Sequence, residues 1–117
     1  MPRSEANLAT VSTENCAEQL AHFFPRTEAV RVPVQVMPGG AGETRLREST
    51  VLEYASAEHA IFVSTLPLEF ADRVKVRGGS NKARMEEGTV VAVQYHDGRK
   101  AIAVRFLRGQ CHWVTEP

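Results

Sequence analysis

The alternation of hydrophobic and polar residues along this chain predicts a series of short β-strands. The first segment carries a valine at every second position, namely Val30, Val32, Val34 and Val36. Side chains two residues apart share one face of a strand, so these valines should all point to the same side. Pro33 has no amide hydrogen to donate, so we expect this strand to lie at a sheet edge or near a bulge.

Further segments with strand character follow at Arg45 to Tyr54, at Ala60 to Thr65, and around Val74 and Val76. Loops rich in glycine separate several of them. The last two strands flank Asp97-Gly98, a dipeptide typical of a tight hairpin turn. Six short strands with local connections predict a mainly β fold, a closed six-stranded antiparallel barrel that leaves no exposed edge.

The register of the final hairpin follows from its turn. If His96 pairs with Arg99, a regular ladder predicts three further pairs: Val93 with Ile102, Val91 with Val104, and Thr89 with Phe106. These pairs would share one face, so the turn chemistry and the hydrophobic pattern agree.

Residues 1–25 differ from the rest of the chain and predict a tail with a short helix, ahead of a barrel domain at 26–117. Ser12 or Thr13 is the expected helix cap, and the helix should end by Pro25. Four hydrophobic residues share one helical face: Cys16, Leu20, Phe23 and Phe24. Since so short a helix is unstable alone, it should dock, preferably on its own barrel and otherwise on a partner protein.

Composition narrows the classes of function. The 117 residues include 14 basic and 14 acidic ones, a formal net charge of zero, whereas a general nucleic-acid binder would be strongly basic. No apolar run approaches the roughly 18 residues that cross a bilayer, and the first residues lack the apolar core of a secretory signal. Cys16 and Cys111 form no paired motif, so free thiols in a cytoplasmic protein are the simpler expectation, and one disulfide is the alternative.

Four local stretches carry a more specific signal. They are Arg31-Val32-Pro33-Val34 at the first strand, the turn around Ser56, Thr65-Leu66-Pro67-Leu68 before a valine strand, and Ala103-Val104-Arg105-Phe106-Leu107 at the end. In this order they resemble the PilZ family of small signalling barrels, over about residues 26 to 113. In that family an Arg-x-x-x-Arg element grips the phosphates and guanines of cyclic di-GMP. An Asp/Asn-x-Ser-x-x-Gly turn meets the same ligand.

The resemblance implies a set of ligand-binding residues: Arg26, Arg31, Tyr54, Ser56 and His59. Arg31 takes the second arginine position, and Arg26 lies one residue before the first. Ser56 matches the serine, whereas Tyr54 replaces the acidic residue and His59 the glycine. Arginine suits phosphate oxygens and guanine edges, and glycine permits close approach of the backbone.

Because the pattern is incomplete, the resemblance implies a cyclic di-GMP receptor module with weak or absent ligand binding. The alternative is a nucleotide-independent adaptor that binds an unidentified protein, with Arg31 merely outward-facing and Ser56 bonded to its own backbone. The residues for such a docking surface are Trp113, Phe106, Leu107 and the pair Phe23-Phe24.

Other chemistries find less support. A basic stripe comprises Arg73, Lys75, Arg77, Lys82 and Arg84. It lacks interleaved aromatic residues, and Glu86 and Glu87 follow it, so a solvated strand face is expected instead of a nucleic-acid site.

Metal binding and catalysis are likewise not expected. His96, Cys111 and His112 lack the close paired spacing of zinc ligands. Ser56 and His59 are near each other in sequence, but no orienting partner or oxyanion site is evident. We therefore expect a protein that is not an enzyme and needs no cofactor.

Overall fold

A computed structural model of the protein describes residues 15–39, 46–78 and 85–108. They form the elements α1 (Cys16–Ala21), β1 (Glu28–Pro38), β2 (Glu48–Ala55), β3 (His59–Val63), β4 (Arg73–Gly78), β5 (Met85–His96) and β6 (Arg99–Phe106). All paired strands are antiparallel, and they close into a barrel in the order β1-β2-β3-β6-β5-β4. The predicted fold class, a six-stranded antiparallel β-barrel with a short helix, is confirmed.

Alternate residues of the strands fill the interior of the barrel. The largest buried side chains there are Phe62, Phe106, Leu52, Leu68, Ile102, Val36, Val74, Val76, Val90 and Val104. Val34 belongs to the same cluster, and Val30 and Val32 pack against it. The valine stripe of β1 therefore faces the core, as its period of two predicts.

Three strand pairs in the described part of the chain shift register, which indicates bulges. The shifts lie between Ala29 and Val32 in β1, between Leu52 and Tyr54 in β2, and between Val90 and Ala92 in β5. Such bulges bend strands and increase their twist, which helps a small sheet to close. Pro33 follows the first bulge directly, so the prediction that it lies near a bulge is confirmed.

The β5–β6 hairpin has the predicted turn but only part of the predicted register. Asp97 and Gly98 both have positive φ angles, 56° and 77°, as a type I′ turn requires. The predicted pairs of His96 with Arg99 and of Val93 with Ile102 are present.

Beyond the β5 bulge the predicted pairs are wrong. Val104 lies opposite Val90 instead of Val91, and Phe106 lies opposite Gly88 instead of Thr89. The bulge inserts one extra residue into β5, which a regular ladder does not anticipate.

Helix α1 packs on the outer surface of the barrel. Its buried residues Cys16, Ala17 and Leu20 form a second hydrophobic cluster with Ile61, Ala101 and Ala103. The side-chain amides of Gln94 and Gln19 add a hydrogen bond of 3.1 Å between β5 and the helix. Docking of the helix on its own barrel, the preferred prediction, is therefore what the structure shows.

The ends of α1 differ from the prediction. Asn15 caps the helix, because its Oδ1 accepts a hydrogen bond of 2.7 Å from the amide of Glu18. Ser12 and Thr13 lie outside the described residues. Since the helix ends at Ala21, Phe23 does not continue its buried face and is 73% exposed, whereas Phe24 still packs against the cluster.

A network of polar side chains fixes the segment between β3 and β4. The Glu48 carboxylate accepts hydrogen bonds from Ser64 Oγ at 2.7 Å, from Thr65 Oγ1 at 2.7 Å and from the Thr65 amide at 2.9 Å. Lys100 Nζ donates to the carbonyl oxygens of Leu66 and Leu68. This network lets the connection run close to the barrel without regular strand pairing.

We expect Glu48→Gln to destabilise the protein at neutral pH by about 1.5–3 kcal/mol, the range for hydrogen bonds to a charged group. Burial alone would raise the pKa of Glu48, but the hydrogen bonds from Ser64 and Thr65 outweigh it and hold the pKa below its ordinary value. The stabilisation is therefore present above the pKa of the unfolded chain and is lost as the pH falls through the lower folded pKa.

Urea unfolding of wild type and Glu48→Gln at several pH values between neutral and strongly acidic measures this difference. The two free energies of unfolding should converge in acid. A constant difference across the series would contradict the role of the Glu48 charge.

Candidate functional site

The segment that joins α1 to β1 lies against the turn between β2 and β3. The amide of Thr27 donates to the carbonyl of Phe24 at 3.0 Å, and Thr27 Oγ1 donates to the same oxygen at 2.6 Å. The Phe24 ring contacts the imidazole of His59, with ring centroids 5.0 Å apart and the planes tilted by 47°. Two regions far apart in sequence are thereby held together.

This contact forms one side of a cavity of about 250 Å³, which we call the Arg26 cavity. It is lined by Phe23, Phe24, Pro25, Arg26, Thr27, Glu58 and His59. Residues of the segment before β1 and of the β2–β3 turn thus share one concave surface. The volume lies below the range of about 300–1,000 Å³ that is usual for pockets of drug-sized ligands.

Ser56 holds the turn in shape. Its Oγ accepts hydrogen bonds from the amides of Glu58 at 3.2 Å and His59 at 3.1 Å, and its own amide donates to the His59 carbonyl at 2.8 Å. This is the local bonding expected of a turn serine. The bonds of Ser56 therefore match the interpretation of this residue as a turn serine bonded to its own backbone.

His59 occupies the position where the family pattern has glycine. The side chain is half-buried against Phe24. Burial lowers the pKa of His59 most, Glu58 opposes this effect and Arg105 adds to it. A neutral imidazole therefore fills space beside the cavity that a glycine would leave open.

The two arginines lie in different surroundings. Arg26 is exposed and lines the cavity. Arg31 is exposed on β1, at the bulge between Ala29 and Val32, and does not line the cavity. Because Val30 and Val32 pack against the core, Arg31 faces outward.

Tyr54 borders a separate cavity of about 400 Å³, together with Pro25, Thr27 and residues of α1. Its ring packs in the hydrophobic cluster under the helix. Of the five predicted ligand residues, the structure brings Arg26 and His59 to one cavity, with Ser56 in the same turn. It places Arg31 and Tyr54 beside this region instead of in its lining.

The ligand-binding residues expected from the sequence do not include Phe24 or Glu58, which both line the cavity. Phe24 was assigned to the helix face, and its contact with His59 depends on the end of the helix. Glu58 occupies an unspecified position of the turn motif, and it adds an acidic residue to the lining that contains Arg26. A negative charge in this lining disfavours the binding of phosphates, and solvent weakens this repulsion because the cavity is open.

The other sequence candidates can be placed as well. Arg73 forms an ion pair of 3.5 Å with Glu87, and Lys75 also lies opposite Glu87 in the ladder, which fits a solvated strand face. Lys82 and Arg84 lie outside the described residues. Phe106 is buried in the core and so is not part of a docking surface, whereas Leu107 is exposed.

No group of three or more potential metal ligands occurs within residues 15–39, 46–78 and 85–108. His96 lies at the end of β5, and Cys111, His112 and Trp113 fall outside these ranges. Cys16 has a free, buried thiol, and burial raises its pKa. In the same ranges, no helix has the length and hydrophobicity needed to cross a membrane.

Comparison with known proteins gives no family assignment. No protein-family model matches the chain, and no curated protein matches it significantly. The resemblance to PilZ domains stays a prediction that rests on the residues quoted above.

We expect His59→Asn to change how stability depends on pH. Because the folded pKa of His59 is lowered below the ordinary value of 6.5, the unfolded chain binds more protons in the interval just below that value. In wild type, His59 therefore lowers the free energy of unfolding as the pH falls below about 6.5. Asparagine does not titrate, so the variant lacks this decrease.

Denaturant unfolding at closely spaced pH values from neutral to mildly acidic measures the effect. The stability of wild type relative to His59→Asn should decrease in acid. A difference that does not vary with pH would show that the half-buried imidazole does not titrate as described.

Proposed function

We propose that this chain is a divergent PilZ-like signalling module of the cyclic di-GMP receptor family, with weak or absent affinity for the nucleotide. The observation that carries the proposal is the shared Arg26 cavity. The segment before β1, where the family has its arginines, meets the turn that carries Ser56, as a ligand that bridges both would require. A location in the cytoplasm belongs to the same proposal.

The chemistry of the cavity supports weak binding. Arg26 supplies one guanidinium group, which suits a phosphate or a guanine edge. Glu58 places a carboxyl group in the same lining, and His59 takes up space beside it. Arg31 lies on β1, outside the lining of the cavity. A ligand would therefore contact this second guanidinium group only if it extended beyond the cavity.

Titration calorimetry with cyclic di-GMP tests this proposal directly. For wild type we expect a Kd weaker than about 10 µM, which corresponds to less than about 7 kcal/mol of binding free energy. Arg26→Ala and Arg31→Ala should weaken any binding further. Arg47→Ala is the matched control, because Arg47 is also exposed but precedes β2, roughly 30 Å along the strand from Ser56.

A restored variant makes the test sharper when wild-type binding is weak. Thr27→Arg combined with His59→Gly recreates the family spacing of the arginines and opens the turn. We expect at least a tenfold gain in affinity, or about 1.4 kcal/mol. A well-folded restored variant that binds no better than wild type would contradict the assignment of the ligand site.

A second function, a nucleotide-independent adaptor, is supported by Phe23. This side chain is 73% exposed at the rim of the Arg26 cavity, where it could anchor a protein partner. The adaptor is favoured when neither wild type nor the restored variant gives heat or a thermal shift with the nucleotide. The receptor is favoured when binding depends on Arg26 or Arg31.

A further inference from the structure

A second polar site lies on a different part of the barrel, around Arg77 in β4. Three cations alternate with buried valines on this strand: Arg73, Lys75 and Arg77. Arg73 forms an ion pair with Glu87, and Lys75 lies directly opposite Glu87. Arg77 differs from both, because its ladder neighbours are Gln35 in β1 and Met85 in β5, neither of which is acidic.

The guanidinium group of Arg77 is incompletely satisfied. Its Nε is buried and has no hydrogen-bond partner within the described part of the chain. A buried donor without an acceptor is unfavourable and rare in folded proteins. Arg77 is therefore a candidate for an acceptor that the described residues do not supply.

A cavity of about 260 Å³ lies at this position, and we call it the Arg77 cavity. Gln35 lies in register with Ser49 on one side and with Arg77 on the other, so these three residues form a row across β2, β1 and β4. All three line the cavity, together with the apolar residues Pro33 and Val34. The hydroxyl of Thr50 also borders it but donates to the carbonyl of Val63 at 2.9 Å.

The donors of this row point to one class of ligand. A guanidinium, a primary amide and a hydroxyl all donate hydrogen bonds, and the lining contains no carboxylate to compete. An oxyanion with two or more acceptor oxygens matches a guanidinium fork in both geometry and charge. The volume suits a single phosphate or carboxylate group better than a dinucleotide.

We propose that the Arg77 cavity binds a small oxyanion, a phosphate or a carboxylate group, with Arg77 as its main contact and Gln35 and Ser49 as further donors. This site shares no lining residue with the Arg26 cavity and does not depend on the function proposed above.

The test is an NMR titration of the full chain, with the side-chain Nε–H signal of Arg77 as the readout. Inorganic phosphate and acetate are the two probes, and sodium chloride keeps the ionic strength constant. Saturable movement of this signal with phosphate indicates a phosphate site, and saturable movement with acetate a carboxylate site. Either result supports the proposal.

Variants make the assignment specific. Arg77→Gln lacks the Nε–H signal, so its binding is followed through the backbone amide signals of Gln35 and Gly78, and it should be weakened at least tenfold. Lys75→Gln, which removes a cation two residues away on the same strand face, should change it less than twofold. If Arg77→Gln does not fold, Arg77→Lys keeps the charge but not the fork and should still weaken binding.

The proposal is overturned if the Arg77 signal responds to chloride as it does to the two probes, or if no response saturates. It is also overturned if Lys75→Gln and Arg77→Gln have equal effects, since a diffuse positive surface would then explain the binding. Cyclic di-GMP titrations of Arg77→Gln should match wild type, which separates this cavity from the one around Arg26.

Discussion

The burial of β6 on both of its faces is the constraint on which the rest of this structure depends. Ile102 and Val104 fill the barrel interior, while Ala101 and Ala103 form part of the surface on which α1 packs. The small side chains of Ala101 and Ala103 allow the backbone of α1 to approach β6 closely. Ile102 and Val104, on the other face of β6, pack in the interior of the barrel. One strand therefore holds two hydrophobic clusters in register.

The position of the helix in turn determines the shape of the Arg26 cavity. Only a short segment joins Ala21 to Glu28, and its turn is held by the hydrogen bonds of Thr27. With the helix fixed on the barrel, this segment has little freedom and places Phe24 on His59. The cavity-lining residues of this irregular segment are thus ordered by packing that lies outside the cavity.

Much of the fold could be predicted from local rules. The valines of β1 and the Asp97-Gly98 turn each follow from a period or a turn preference, and both agree with the barrel. The register beyond Val93 could not be predicted, because a bulge depends on how the whole sheet bends and not on the hairpin alone. The exposure of Phe23 was missed for a related reason, since it depends on where the helix ends.

The candidate sites were less predictable than the fold. Sequence spacing pointed to the Ser56 turn and to Arg26, but it did not reveal that Phe24 and Glu58 complete the cavity. Arg77 was grouped with a solvated basic stripe, and the difference between it and Arg73 arises from strand pairing. Contacts between strands distant in sequence leave no local pattern to read.

The packing of α1 on the barrel also has a consequence for folding during synthesis. Leu20 packs with Ala103, which is made 83 residues later. At about 5–20 residues per second, the ribosome needs roughly 4–17 seconds to produce that distance of chain. During this time no complete barrel covers the hydrophobic face of the helix. This part of the nascent chain must therefore tolerate exposure to solvent or to chaperones until β6 closes the barrel.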